Sequence, residues 1–167
     1  MNMTRAIGLS VIVFSLTMFA SAHATQNESE AQTLIKSVRF LEVKPLDKQA
    51  KDVRGWAVGW VIKTDQVSVS ICAGLLNGLG KKYKYESELL GQYTIGMAAF
   101  KLSNPAKASD EDAAQLAGFE SVLLSYEAIK KDQPKAQNAY LDDLLARRTN
   151  NTLAEYLITN NCSKEKK

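Results

Sequence analysis

The side chain best suited to proton transfer near neutral pH occurs once in the 167 residues, as His23. It stands in Ala22-His23-Ala24, a small-x-small pattern. Ahead of it lie Arg5 and an uncharged apolar run over residues 6–20. A positive start, a short apolar run and a small-residue cleavage site together describe a secretory signal peptide. The sequence therefore predicts export to the periplasm or the exterior, with cleavage after Ala24. Residues 25–163 would form one domain and residues 164–167 a charged tail. The apolar run is too short to cross about 30 Å of hydrocarbon comfortably, and no later segment is long and apolar enough, so no stable membrane span is expected after cleavage. On this reading the histidine leaves with the signal. A mature chain without imidazole excludes Ser-His-Asp and Cys-His catalysis, an HExxH zinc site and histidine-ligated haem. Carboxylate pairs, lysine and tyrosine remain as catalytic groups.

Cys72 and Cys162 are the only cysteines. In an oxidising compartment an even count favours a disulfide. With 89 residues between the two, chain entropy gives that link roughly 4–5 kcal/mol. A redox role is disfavoured: the spacing is not CxxC, and neither cysteine has basic residues on both sides to lower its pKa.

The glycines and lysines between positions 74 and 82 invite comparison with a phosphate cradle. GxxxxGK[ST] fails, because Leu79 stands five residues after Gly74 and Leu75 five before Gly80. GxGxxG fails where Tyr83 follows Gly78 and Gly80. Small residues at Cys72, Ala73, Gly74 and Gly78 read instead as close helix packing. Ser163 and Lys166 make the one Ser-x-x-Lys pair of the mature chain, in the terminal tail. Carboxylates cluster at Glu86 and Glu88, at residues 110–112, and at Asp142 and Asp143. Each cluster is explained as helix N-terminal charge or a solvated face, so a two-carboxylate glycosidase site is not expected. No segment fits a calcium loop. The sequence thus predicts no catalytic residue, no cofactor and no metal.

One cluster suits contact with an anionic partner: Lys81, Lys82, Tyr83, Lys84 and Tyr85, where charge alternates with aromatic rings. Its plainer reading is a solvated turn with the tyrosines partly tucked into the core. Trp56, Trp60 and Tyr93 could line a ligand groove, but aromatic residues at helical spacing more often belong to a core. Arg54, Arg147 and Arg148 are expected to pair with nearby carboxylates.

Helices must position all of these groups. Ser29 and Gln32 form a capping box ahead of Ala31, Leu34, Ile35, Val38 and Leu41, one face of a helix that Pro45 stops. Asp47 is expected to cap a second helix with the stripe Ala50, Val53, Ala57, Trp60 and Val61. Gly55 and Gly59 in that stretch cost about 1 kcal/mol each relative to alanine and would permit close helix contact. Residues 64–80 carry two patterns. Val67, Val69 and Ile71 alternate with Ser68 and Ser70 as in a strand, while Val67, Ile71, Leu75 and Leu79 recur every fourth residue. Helical neighbours favour a helix, ended by Gly80. Residues 86–102 read as a helix with Leu89, Tyr93, Met97 and Phe100 on one face. Ser109 is expected to cap the longest helix, whose apolar face runs from Leu116 to Ile129 and which Pro134 ends. Tyr140, Leu141, Leu144 and Leu145 mark another helix. A second capping box, Thr152 and Glu155, leads a last one, ended by left-handed Asn160 or Asn161. The expected fold is a compact all-α bundle of six to seven helices, with the disulfide joining the third helix to the C-terminal end.

Cys72-Ala73-Gly74-Leu75-Leu76-Asn77-Gly78 resembles the C-x-G-Y-x-x-G start of small periplasmic immunity proteins that neutralise type VI secretion toxins, with leucine at position 75 where the family has an aromatic residue. Those proteins are helical and exported and carry a second cysteine near the C-terminus, as Cys162 does here. The resemblance spans residues 60–162 and implies toxin binding by a helical surface. The formal charge of +3 falls to +2 when Arg5 is lost, too small and too dispersed for nucleic acid as the main partner. The sequence therefore predicts a non-catalytic module that binds another envelope or secreted protein. A small-ligand carrier or carboxylate-based envelope enzyme, and a structural envelope protein, stand as alternatives.

Overall fold

A computed structural model describes residues 29–80 and 82–160. The expected signal segment, Lys81, Cys162 and the tail at 164–167 lie outside the described residues. Among the described residues there are seven α-helices and no strand. They are α1 (Glu30–Val43), α2 (Ala50–Lys63), α3 (Ala73–Leu79), α4 (Glu86–Ser103), α5 (Glu111–Asp132), α6 (Ala139–Thr149) and α7 (Leu153–Thr159). Short 3-10 turns at Pro105–Lys107 and Pro134–Ala136 lead out of α4 and α5. No helix among the described residues is long and apolar enough to cross a membrane.

The antiparallel pair α4 and α5 is the spine. α4 is buried on two sides. Leu89, Tyr93 and Met97 join Phe119, Val122, Leu123, Tyr126 and Ile129 of α5, Leu141 and Leu144 of α6, and Leu153 and Leu157 of α7. Ile95, Ala98 and Ala99 face the other way, into Leu34, Val38 and Leu41 of α1 and Ala57, Trp60 and Val61 of α2. The single apolar face expected for α4 is therefore half of its burial. Two glycines set how closely the spine packs. A Cβ on Gly118 would come within 2.7 Å of Met97 and Tyr93 side-chain atoms, and one on Gly96 within 2.7 Å of the Ser121 Cβ.

Local signals set most helix ends. Ser29 and Gln32 form the capping box reciprocally, and α1 stops two residues before Pro45. Gly80 ends α3 at φ +78°, a conformation that glycine adopts without strain. Other caps differ from expectation. Asp47 accepts the Gln49 N–H at 2.9 Å, closing a turn ahead of α2 rather than capping the helix. Asp110, not Ser109, caps α5 by accepting the Ala113 N–H. Thr152 makes no cap bond to α7, because its hydroxyl donates to the Arg147 carbonyl. Among the described residues the left-handed asparagine is Asn151, between α6 and α7; Asn160 has φ −90°, and Asn161 lies outside the described residues.

The largest departure lies before α3. Residues 64–72 are not helical, and only residues 73–79 are. The extended stretch is held by side chains of the spine. The Lys101 ammonium donates to the Ser68 carbonyl at 2.8 Å, Gln115 Nε2 donates to the Ser70 carbonyl at 2.7 Å, and the Cys72 N–H donates to the Tyr93 hydroxyl at 3.1 Å. Positions 68, 70 and 72 alternate, as extended backbone requires. β-Branched residues and serines give helix little intrinsic support, so tethers from α4 and α5 decide the conformation.

A candidate binding groove between the second and fourth helices

α2 and α4 run side by side, and Gly91 lets them approach. A Cβ there would lie 2.9 Å from the Arg54 Cδ and 3.5 Å from a Val58 methyl. Beside this contact lies an open groove of about 740 Å³. Its α2 wall is Lys51, Arg54, Gly55, Val58, Gly59 and Ile62; α4 supplies Ser87, Glu88, Leu90, Gly91 and Thr94. A Cβ on Gly55 or Gly59 would meet nothing within 4 Å. Ile62 is 76% exposed, and Trp56, beside Gly55, is 39% exposed. The groove is apolar along its length and charged at the end where both helices begin.

At that end Arg54 makes no salt bridge among the described residues, although the charge of Glu88 acts on it. Its Nη2 donates to the Pro45 carbonyl at 2.9 Å, and its Nε is buried without an acceptor. Burial lowers the Arg54 pKa, and the charge of Glu88 opposes that shift. Glu88 accepts a hydrogen bond from the Ser87 hydroxyl at 2.9 Å. Lysine, arginine and glutamate thus form a mixed-charge rim.

A smaller cleft of about 180 Å³ opens where α1, α4 and α5 meet. There Ser121 Oγ donates to Glu42 at 2.6 Å and accepts from Gln92 Nε2 at 2.7 Å, while Gln92 Oε1 is buried without a partner. Burial raises the Glu42 pKa, against the Ser121 hydrogen bond and the Arg39 charge. Each of these two depressions holds a single carboxylate, Glu88 in one and Glu42 in the other. Among the described residues, no three metal-ligating side chains gather.

The predicted contact cluster is divided. Tyr85 is buried, and the half-buried Tyr83 donates its hydroxyl to the Ala136 carbonyl at 2.8 Å. Burial pushes the Tyr83 pKa up to about 12. Lys82 and Lys84 are exposed, with the Lys84 ammonium 5.0 Å from the Tyr85 ring centre. Lys81 is outside the described residues. The aromatic members anchor the turn, leaving two described lysines at the surface.

The three aromatic groove candidates separate in the same way. Tyr93 is fully buried, and Trp60 is buried with its indole N–H donating to Glu30 at 2.8 Å. Trp56 alone reaches the surface. The acidic cluster at Asp142 and Asp143 finds structural partners. Asp142 takes Lys130 at 2.6 Å and the Tyr126 hydroxyl at 2.9 Å, and Asp143 takes Arg147 at 2.7 Å. Arg148 pairs with Glu127 at 2.7 Å. Gly55 and Gly59, expected to permit close helix contact, face open space instead. Their four-residue spacing beside Trp56 was the available signal. Compared with protein-family models, curated proteins and solved structures, the chain matches none.

Proposed function

We propose that the mature chain is an exported, non-catalytic binding module that receives a protein partner along the α2/α4 groove, with neutralisation of a secreted toxin as its concrete version. The supporting observation is the groove itself. Two outward glycines give a helix-sized floor with no Cβ contacts, flanked by exposed Ile62 and ending in a mixed-charge rim. An amphipathic helix laid in an apolar groove uses such a surface. The reading includes a Cys72–Cys162 disulfide. Cys72 is buried in the cluster that also holds Leu153 and Leu157 of α7, and three residues from the end of α7 reach about 10 Å.

Capture from an envelope extract tests the reading. Wild-type protein retains a partner, while Gly55→Leu, whose Cβ meets no atom within 4 Å, fills the floor, keeps the fold and loses it. Capture unchanged by Gly55→Leu overturns the groove as the contact. Loss on Lys82→Glu/Lys84→Glu instead moves the contact to the turn. A second reading, a small-ligand carrier, draws on the groove volume, which lies in the range of about 300–1,000 Å³ typical of ligand sites. Native mass spectrometry of purified protein distinguishes it by a retained small-molecule mass.

A further inference from the structure

We infer that the exposed face of α2 is self-complementary and pairs antiparallel with α2 of a second copy of this chain. The inference does not depend on the identity of any other partner. Asp52, Trp56, Gly59 and Lys63 follow one another at intervals of four, three and four residues, the spacing of a coiled-coil seam. Asp52, Trp56 and Lys63 are exposed, and Gly59 is part-exposed with open space above it. Neither Asp52 nor Lys63 has a salt-bridge or side-chain hydrogen-bond partner among the described residues.

In an antiparallel helix pair related by a twofold axis, facing positions have a constant sum. The register that sets Trp56 over Gly59 of the second copy also sets Asp52 against its Lys63, since both pairs sum to 115. Each ring gains a hole and each charge gains an opposite, twice over. In the same register the exposed Ile62 flanks the seam on the side of the open Gly55. Asp52 lies in the first turn of α2 and Lys63 in the last, so each suits its own helix dipole and, across the axis, the other's charge. A parallel pair would set Asp52 against Asp52. One helix pair of 14 residues covers less than the roughly 1,200 Å² of a standard interface, so the dimer is weak, with a Kd on the order of 100 µM.

Sedimentation equilibrium on the purified mature chain, from about 10 µM to 1 mM, tests the inference without any other partner. Wild type passes from monomer to dimer across that range. Asp52→Lys sets like charges face to face at both ends and weakens the dimer by about tenfold or more, with circular dichroism unchanged. Asp52→Lys/Lys63→Asp restores the opposite pairing and the wild-type Kd. A monomer throughout overturns the inference. So does a dimer indifferent to Asp52→Lys, or one that the double reversal fails to rescue. Because partner capture is read on Gly55→Leu and self-association on the charge pair, either reading can fail alone.

Discussion

Removing one hydroxyl should unfasten the extended segment that leads into α3. Tyr93 is fully buried, and its oxygen accepts the Cys72 N–H at 3.1 Å and donates to Gln115 Oε1. Gln115, 2% exposed, carries the chain onward by donating to the Ser70 carbonyl. Tyr93→Phe leaves the ring beside Phe119, where the centroids lie 5.1 Å apart, and takes away only the oxygen. Two buried groups, the Cys72 N–H and Gln115 Oε1, then lose their partner. Each such group costs about 1–3 kcal/mol, so the variant should lose about 2–6 kcal/mol in all. For a domain of this size that is a fall in melting temperature of about 5–25 °C. Thermal and urea denaturation read the loss. Hydrogen exchange locates it: the Cys72 amide should lose protection while amides in the middle of α5 keep theirs relative to global stability. A loss under about 0.5 kcal/mol, with the Cys72 amide still protected, would show that the segment is held by something other than this hydroxyl.

Gly118→Ala should destabilise the protein. The added Cβ meets Met97 and Tyr93 atoms at 2.7 Å, an overpacking cost of about 1–3 kcal/mol that a helix-propensity gain of about 1 kcal/mol only partly offsets. A melting temperature at or above wild type would contradict the close approach of α4 and α5. Glu42→Gln should stabilise the protein at neutral pH. Burial raises the Glu42 pKa above its ordinary 4.5, so the folded chain holds the ionised form less well than the unfolded chain does. That penalty is absent below the ordinary value and grows as pH rises toward the raised one. The variant's advantage should therefore appear at pH 7 and vanish near about pH 4; an advantage that persists in acid would rule out this origin.

Most of the frame was legible in local sequence. The capping box at Ser29, the stop before Pro45 and Gly80 at positive φ are short-range devices whose partners lie within four residues. The apolar faces of α1, α5 and α6 were legible because one side of each turns to the core. α4 was half read: its second buried face consists of small residues, Ala98 and Ala99, with Ile95, and these carry little periodic signal. The site was less legible. Lys81 to Tyr85 drew attention by composition, yet Tyr83 and Tyr85 serve the core. Gly55 and Gly59 mark a missing Cβ in the sequence, but whether that opens a helix contact or a solvent-facing floor depends on what packs against α2.

The sequence alone determined that the described chain is helical and where most helices stop, because those choices rest on periodicity and on backbone groups satisfied within one turn. Tertiary structure alone decided residues 64–72. Their pattern fits strand and helix alike, and the balance is set by hydrogen bonds with Lys101, Gln115 and Tyr93, which lie 21 to 45 residues away. It decided equally that Gly55 and Gly59 face open space, since which side of a helix meets solvent depends on what else packs against it.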